Sequence, residues 1–82
     1  MIASLNGKIV DILNDSLVLE VGGGVGMQVF APVALRQQAH IGESLFLHTY
    51  LVVRQDALNL FGFESREERE FFLLLLEVNG IG

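Results

Sequence analysis

Short segments with the two-residue period of β-strands, separated by turn signals, constrain the fold of this chain more than any other feature. Ser16–Val21 and Val25–Ala31 alternate between two faces, as half-buried strands do. The glycines between them favour a tight turn, because glycine adopts positive φ at little steric cost. Since 82 residues hold one domain and at most a fragment of another, these strands must share one small core.

Three more segments have the composition of strands, and a connection separates the third strand from the fourth. Gly7, inside the first strand, predicts a bulge or bend that lets one long strand serve two sides of a small barrel. After Pro32, residues 33–39 predict a short helix or an irregular crossover. We therefore predict a mainly β fold, a five-stranded OB-fold barrel over residues 1–64, with an SH3-like barrel as the alternative. The additional strands are expected at Ile2–Leu13, Ser44–Val53 and Ala57–Phe63.

The fourth and fifth strands flank a short polar tip. Arg54, Gln55 and Asp56 separate an apolar run that begins at Tyr50 from one that ends at Phe63. This pattern predicts a β-hairpin whose turn projects away from the core, because the flanks are apolar and the turn is not.

A helix of different character is predicted after the barrel. Ser65 and Glu68 have the spacing of a capping box, in which the serine hydroxyl accepts from the Glu68 amide and the Glu68 side chain returns to the Ser65 amide. The helix is expected to end near Val78, with Asn79 and Gly80 as its C-cap.

The second half of this helix, residues 71–76, is apolar on every side. Six consecutive apolar positions span more than one turn, so a single barrel surface cannot cover them. We expect the helix to contact a partner or to make the chain self-associate. Because the sequence ends at Gly82, shortly after this helix, we interpret it as a fragment of a longer protein.

The charge and composition exclude several classes of protein. Five Lys and Arg against ten Asp and Glu give a formal charge of -5, so the chain alone is expected to bind DNA or RNA poorly. The absence of cysteine excludes a disulfide scaffold and cysteine-based zinc sites. The N-terminus lacks a secretory signal, and no apolar run approaches the about 20 residues of a membrane helix. These features predict a soluble, cytoplasmic protein with no membrane partner.

Candidate catalytic, metal and cofactor residues do not form a recognisable pattern. Gly22–Gly26 lacks a following Gly-Lys-Ser/Thr and precedes a strand, which favours a hairpin turn over a phosphate loop. His40 and His48 have no further ligands at metal-binding spacing, and no nucleophile motif frames the serines. We therefore predict no catalytic residue, no metal and no cofactor.

Two features bear on nucleic acids. An OB-fold typically binds single-stranded nucleic acid on its second and third β-strands, through aromatic side chains and a basic groove. Here these two β-strands contain Glu20, Gln28 and Phe30 but no lysine or arginine. A generic single-strand binder is therefore disfavoured. The residues Asn79, Gly80, Ile81 and Gly82 after a helix indicate either a simple C-cap or the hairpin of a helix-hairpin-helix motif, which aims backbone amides at a phosphate.

Taken together, the order and spacing of many residues resemble the RuvA family, the Holliday-junction-binding subunits of the bacterial branch-migration machine. The resemblance covers essentially all 82 residues, but only the N-terminal part of that family's chain. The residues that carry it are Met1–Ile2, Gly7, Leu19–Gly23, Val25–Gly26, Val52–Arg54, Asp56–Ala57, Leu60, Gly62–Phe63, Glu67–Arg69, Phe72 and Asn79–Gly82.

The resemblance implies a tetramer-forming OB-fold domain over residues 1–64 and, over residues 65–82, the truncated start of a helix-hairpin-helix domain. It implies a non-catalytic accessory subunit of an ATP-dependent helicase complex, acting in DNA recombination, repair and the SOS response to DNA damage. The implied partners are four-way junction DNA through the complete protein, the RuvB motor through a missing C-terminal domain, and further copies in a homotetramer.

The resemblance also assigns roles to residues. Arg54, Gln55 and Asp56 would form the central pin at which strands separate, and Asn79–Gly82 would form a DNA-binding hairpin that presents the backbone of its two glycines. Pin carboxylates at a four-fold centre would repel phosphates and disfavour uninterrupted duplex. Gln55 replaces one of the family's two acids, and the sequence leaves open whether Arg54 pairs with Asp56 or contacts a phosphate. The alternatives are a protein-interaction barrel without DNA activity and, least favoured, a small enzyme.

Overall fold

The structure is a computed structural model that describes residues 1–80. Ile81 and Gly82, which belong to the predicted DNA-binding hairpin, lie outside the described residues. The elements are β1 (Ser4–Ile12), β2 (Ser16–Val21), β3 (Val25–Phe30), α1 (Val33–Gln38), β4 (Ser44–Val53), β5 (Leu58–Phe63) and α2 (Arg66–Val78).

The five strands form a closed barrel in the order β1-β2-β3-β5-β4, with α1 between β3 and β4. All pairings are antiparallel except that of β3 with β5. β1 pairs with β4 through its first half, Ser4–Lys8, and with β2 through its second half, Lys8–Ile12. The prediction of an OB-fold barrel in which one long strand serves two sides is confirmed.

The bulge predicted at Gly7 is wrong in position. Gly7 pairs regularly with Leu45 of β4, and the shift in register lies between Ile9 and Asp11. A Cβ on Gly7 would lie 2.7 Å from the carbonyl oxygen of Glu20, so glycine is needed there for close approach to β2. A glycine at a bulge and a glycine at a close approach between strands look the same in a sequence, so the sequence could not distinguish these two roles.

The barrel core is built from the inward face of each strand and from α1. Leu35 of α1 closes it and is 6% exposed. The buried hydroxyl of Thr49 donates to the carbonyl of Ile2 at 2.7 Å, so it is satisfied inside the core. The core cluster consists of Leu17, Leu19, Val29, Leu35, Leu47 and Leu60.

The predicted cap of α2 is confirmed with one change. The Ser65 hydroxyl accepts from the Glu68 backbone N–H at 3.1 Å, as a capping serine does. It also donates to the Glu68 carboxylate at 3.2 Å, which takes the place of the predicted bond to the Ser65 amide. In the part of the chain that the structure describes, no helix is long and apolar enough to cross a membrane.

Candidate nucleic-acid interface

The hairpin of β4 and β5 continues past the strands that enclose it. Its two strands pair from His48 and Phe63 at the base to Val53 and Leu58 at the end. β4 pairs with β1 only as far as His48, and β5 pairs with β3 only at Phe61. The outer part of the hairpin is therefore a two-stranded ribbon, whose end lies about 17 Å from Phe63 at the usual rise of a strand.

The predicted tip lies at the end of this ribbon. The Arg54 backbone N–H donates to the Ala57 carbonyl at 2.9 Å and closes the turn, so the loop includes Ala57 and β5 begins one residue later than predicted. Arg54, Gln55 and Asp56 are all exposed. The projecting polar turn predicted from the sequence is thus present.

The tip carries no net charge. Among residues 1–80 the only ion pair within 4.0 Å joins Arg69 and Glu70, so Arg54 and Asp56 do not form one. Their opposite formal charges balance, and Gln55 adds none. The three tip side chains therefore present a guanidinium, an amide and a carboxylate to the surroundings.

An apolar pair lies directly behind the tip. Val53 and Leu58 face each other across the ribbon, and each side chain is 69% exposed. Two pairs further in, Leu60 faces Leu51, is 5% exposed, belongs to the core cluster and anchors the ribbon to the barrel. Val52 lies between these pairs on the opposite face of the ribbon and is 8% exposed. From the sequence, Val53 and Leu58 were interpreted only as part of the apolar runs on either side of the tip. Their exposure beside the tip was not predicted.

The second predicted DNA contact lies at the C-terminal end of α2. The Asn79 N–H donates to the Leu75 carbonyl at 3.1 Å, and the Gly80 N–H donates to the Glu77 carbonyl at 3.1 Å. Gly80 has a φ of 70°, in the left-handed region where helices end on glycine. The predicted C-cap is confirmed. The backbone N–H groups of Asn79 and Gly80 are both hydrogen-bonded to carbonyls of the last turn of α2.

One side of α2 packs against the base of the hairpin. The ring of Phe72 lies 4.8 Å from that of Phe61 and 5.1 Å from that of Phe63, centroid to centroid. Beside this contact is a cleft of about 310 Å³ with Asp15 as its single ionisable lining residue. A lone carboxylate among apolar groups is not a catalytic constellation. The cleft is lined by Asp15, Phe30, Ala31, Pro32, Phe61, Phe63 and Phe72.

The other side of α2 is exposed and apolar, as the sequence predicted. Phe71, Leu74, Leu75 and Val78 have exposures between 45% and 83%, whereas Phe72 on the opposite side is half-buried. These four residues, which we call the outer face of α2, have the i, i+3, i+4, i+7 spacing of one helical stripe.

The face of β2 and β3 does not supply a stacking platform. The Phe30 ring packs against Phe61 at 5.5 Å, and the Gln28 amide donates to the Ser16 hydroxyl at 2.9 Å.

His48 packs edge-on against Phe46, and residues 1–80 contain no group of three or more potential metal ligands.

Comparison with known proteins places the hairpin in a defined domain. A family model described as the RuvA N terminal domain matches residues 1–62, which include β1 to β4, the tip and most of β5. The chain belongs to the RuvA family.

Individual RuvA relatives align with the whole chain. The protein named "Holliday junction branch migration complex subunit RuvA" from Chloroflexus aggregans is 45% identical over 83 residues, covering 100% of this chain and 42% of the relative. The protein of the same name from Bdellovibrio bacteriovorus is 43% identical over 84 residues, with the same coverage. That from Staphylococcus aureus is 40% identical over 82 residues, covering 100% of this chain and 40% of the relative.

The chain thus spans about two fifths of the length of the curated RuvA relatives that it matches. The match to the RuvA domain covers the barrel and the tip, whereas α2 is covered only by the alignments to individual relatives.

Proposed function

We propose that this chain is the barrel-bearing part of a non-catalytic subunit that holds a four-way DNA junction open for branch migration in recombination and repair. Residues 1–64 would be the tetramer-forming OB-fold domain, and residues 65–82 the start of a helix-hairpin-helix domain. The observation that carries the proposal is the exposed tip on a ribbon that extends beyond the barrel, within a segment that matches the RuvA domain. The names of the aligned relatives support the same role.

The ribbon suits a strand-separating pin because it is rigid at its base and exposed at its end. Leu60 and its cross-strand partner Leu51 fix it to the core, and Phe72 of α2 packs on its base. In a four-fold tetramer, four such tips would meet at the centre of an open junction. Arg54, Gln55 and Asp56 would then lie where the strands exchange partners.

Most of the affinity for phosphates must come from elsewhere in the complete protein. Arg36 donates to the backbone carbonyls of Ala31 and Asn14, and Arg69 donates to that of Ala3 and pairs with Glu70. With a formal charge of -5, the chain repels DNA overall. We assign the main phosphate contacts to the helix-hairpin-helix domain, in which Asn79–Gly82 would form the first hairpin.

The remaining assignments follow the family role. The RuvB motor would bind through sequence beyond that domain, and the assembled protein would act in the cytoplasm during the SOS response. This barrel would contribute the tetramer and the pin.

The test compares two proteins in gel-shift titrations. One is the 82-residue chain, and the other joins it to the remaining part of the Chloroflexus aggregans relative, which we call the chimera. We expect the chimera to bind a four-way junction well above a duplex of equal length, and the chain alone to bind either weakly. A chimera without junction preference would refute the proposal, and strong binding by the chain alone would refute the division of labour.

One observation favours a second function, a protein-interaction barrel without DNA activity. The outer face of α2 is a continuous exposed stripe of four large apolar residues. Such a stripe is typical of a helix that packs against another chain or domain. This function would be preferred if the chimera bound no DNA even at low salt, where phosphate contacts are strongest.

A further inference from the structure

We propose that Val53 and Leu58 form an apolar wedge that packs against unstacked nucleobases at the crossing point of a bound junction. In this chain the wedge, rather than repulsion between carboxylates and phosphates, would keep the strands apart at the tip. The inference rests on the proposed junction-binding function and adds the chemistry of the contact. The ligand is the apolar face of an unpaired base.

The first observation behind the proposal is the exposure of Val53 and Leu58. Leu58 and Leu60 lie on one face of β5, yet Leu60 is 5% exposed and Leu58 is 69% exposed. Val53, directly across the ribbon, is equally exposed. The apolar face that enters the core therefore continues past the end of the barrel, and its last cross-strand pair lies in water.

The second observation is that the formal charges of the tip residues balance. Asp56 is the only tip carboxylate, and the exposed guanidinium of Arg54 lies two residues away. Opposite charges this close largely cancel beyond a Debye length of about 8 Å. Repulsion of phosphates by the tip is therefore weak, and another interaction has to separate the strands.

A polar group that suits a base lies beside the pair. Gln55 at the exposed tip carries an amide, which both donates and accepts hydrogen bonds. Amides of this kind pair with base edges, while apolar side chains inserted between base steps unstack and kink DNA. An apolar pair beside the amide of Gln55 thus combines two contacts that a splayed base requires.

A second copy of the chain is the other conceivable occupant of this pair. A stable protein–protein interface buries at least about 1,200 Å² of surface in total. Two aliphatic side chains at the end of a narrow ribbon supply a small part of that area. The pair by itself is therefore too small to hold a second copy, so the tetramer proposed above would be held by other surfaces of the barrel.

The test uses the chimera with both residues replaced, Val53→Thr and Leu58→Thr, which gives both positions a β-branched side chain that favours a strand. The matched control is Val25→Thr, because Val25 is the first residue of β3, next to the turn of a different hairpin, and is also exposed, at 58%. A synthetic four-way junction carries 2-aminopurine at the crossing point, where its fluorescence rises on unstacking. A duplex of equal length with the same probe serves as the reference.

We expect the parent chimera and Val25→Thr to raise the junction fluorescence equally, and the double variant to lose most of that rise. Preference for junction over duplex should fall by about tenfold in the double variant, which is a part of the few kcal/mol that unstacking one base step costs. A single Leu58→Gln variant should show an intermediate loss.

Three results would overturn the wedge. One is a full fluorescence rise in the double variant with unchanged junction preference. Another is junction binding by the parent without any rise. The third is a change of oligomeric state in the double variant, measured by sedimentation, which would assign the pair to a contact between copies. In all three the parent binds junctions, so the proposed function survives, whereas a parent chimera that does not bind would refute both.

Discussion

Phe72 of α2 lies 4.8 Å from Phe61 of β5, ring centroid to ring centroid, and this contact joins the helix to the base of the projecting hairpin. Phe61 is also the residue through which β5 pairs with β3, so the same position closes the barrel. The helix and the hairpin are thus supported by one aromatic cluster. Its members are Phe30, Phe61, Phe63 and Phe72.

Replacing Phe72 tests this relationship. Phe72→Ala removes two aromatic contacts at a half-buried site, and we expect it to lower the free energy of unfolding by about 1–3 kcal/mol. The neighbouring Phe71 is 63% exposed, so Phe71→Ala should change stability by less than about 0.5 kcal/mol. Urea denaturation followed by circular dichroism measures both. Equal effects of the two substitutions would show that α2 does not dock through Phe72.

A second test concerns the closeness of the strands at Gly62. A Cβ there would lie 2.6 Å from Cγ1 of Val29 and 2.9 Å from Cδ1 of Leu47, inside the core. Gly62→Ala should therefore destabilise the barrel by about 1–3 kcal/mol through overpacking. Gly24→Ala is the matched control, because a Cβ at that position meets no atom within 4 Å. Thermal melts that rank the two variants in the opposite order would contradict the packing.

Much of this architecture could be predicted because it depends on neighbouring residues. The strand period, the polar tip and the Ser65 cap are all encoded within a few positions of the chain. The bulge could not be placed, since its position between Ile9 and Asp11 depends on pairing with β2, which is set by the whole barrel.

The candidate site was only partly predictable for a similar reason. The alternation of side chains places Leu58 and Leu60 on the same face of β5, so the sequence predicts the same burial for both. Leu60 is buried and Leu58 exposed because the barrel ends between them, which only the folded structure shows. Likewise, the separation of Arg54 from Asp56 depends on how two side chains leave a four-residue loop. Local patterns identify the hairpin, whereas exposure and pairing at its end require the folded structure.

The outer face of α2 leads to a prediction about association. Leu74 and Val78 are 58% and 83% exposed on this apolar stripe, and we expect the 82-residue chain to self-associate at high concentration. Leu74→Glu with Val78→Glu should abolish that association. Light scattering measures the mass of each protein, with Val33→Glu on α1, also an exposed site at 55%, as the control. A monodisperse monomer of the unaltered chain would contradict the expectation.

The last prediction concerns Gln55, the position at which this chain departs from the acidic pair implied by its resemblance to the family. Gln55→Glu gives the exposed tip a net negative charge, since Arg54 and Asp56 already balance. In the chimera this change should raise the preference for a four-way junction over duplex by about two- to fivefold at low salt, because each of four tips would then repel the phosphates of a continuous duplex. Gln37→Glu on the exposed part of α1 adds the same charge away from the tip and should leave the preference unchanged. The gain should shrink as salt is raised, since the Debye length falls from about 10 Å at 0.1 M to about 3 Å at 1 M. An equal effect of the two glutamates would indicate that overall charge, rather than charge at the tip, governs the discrimination.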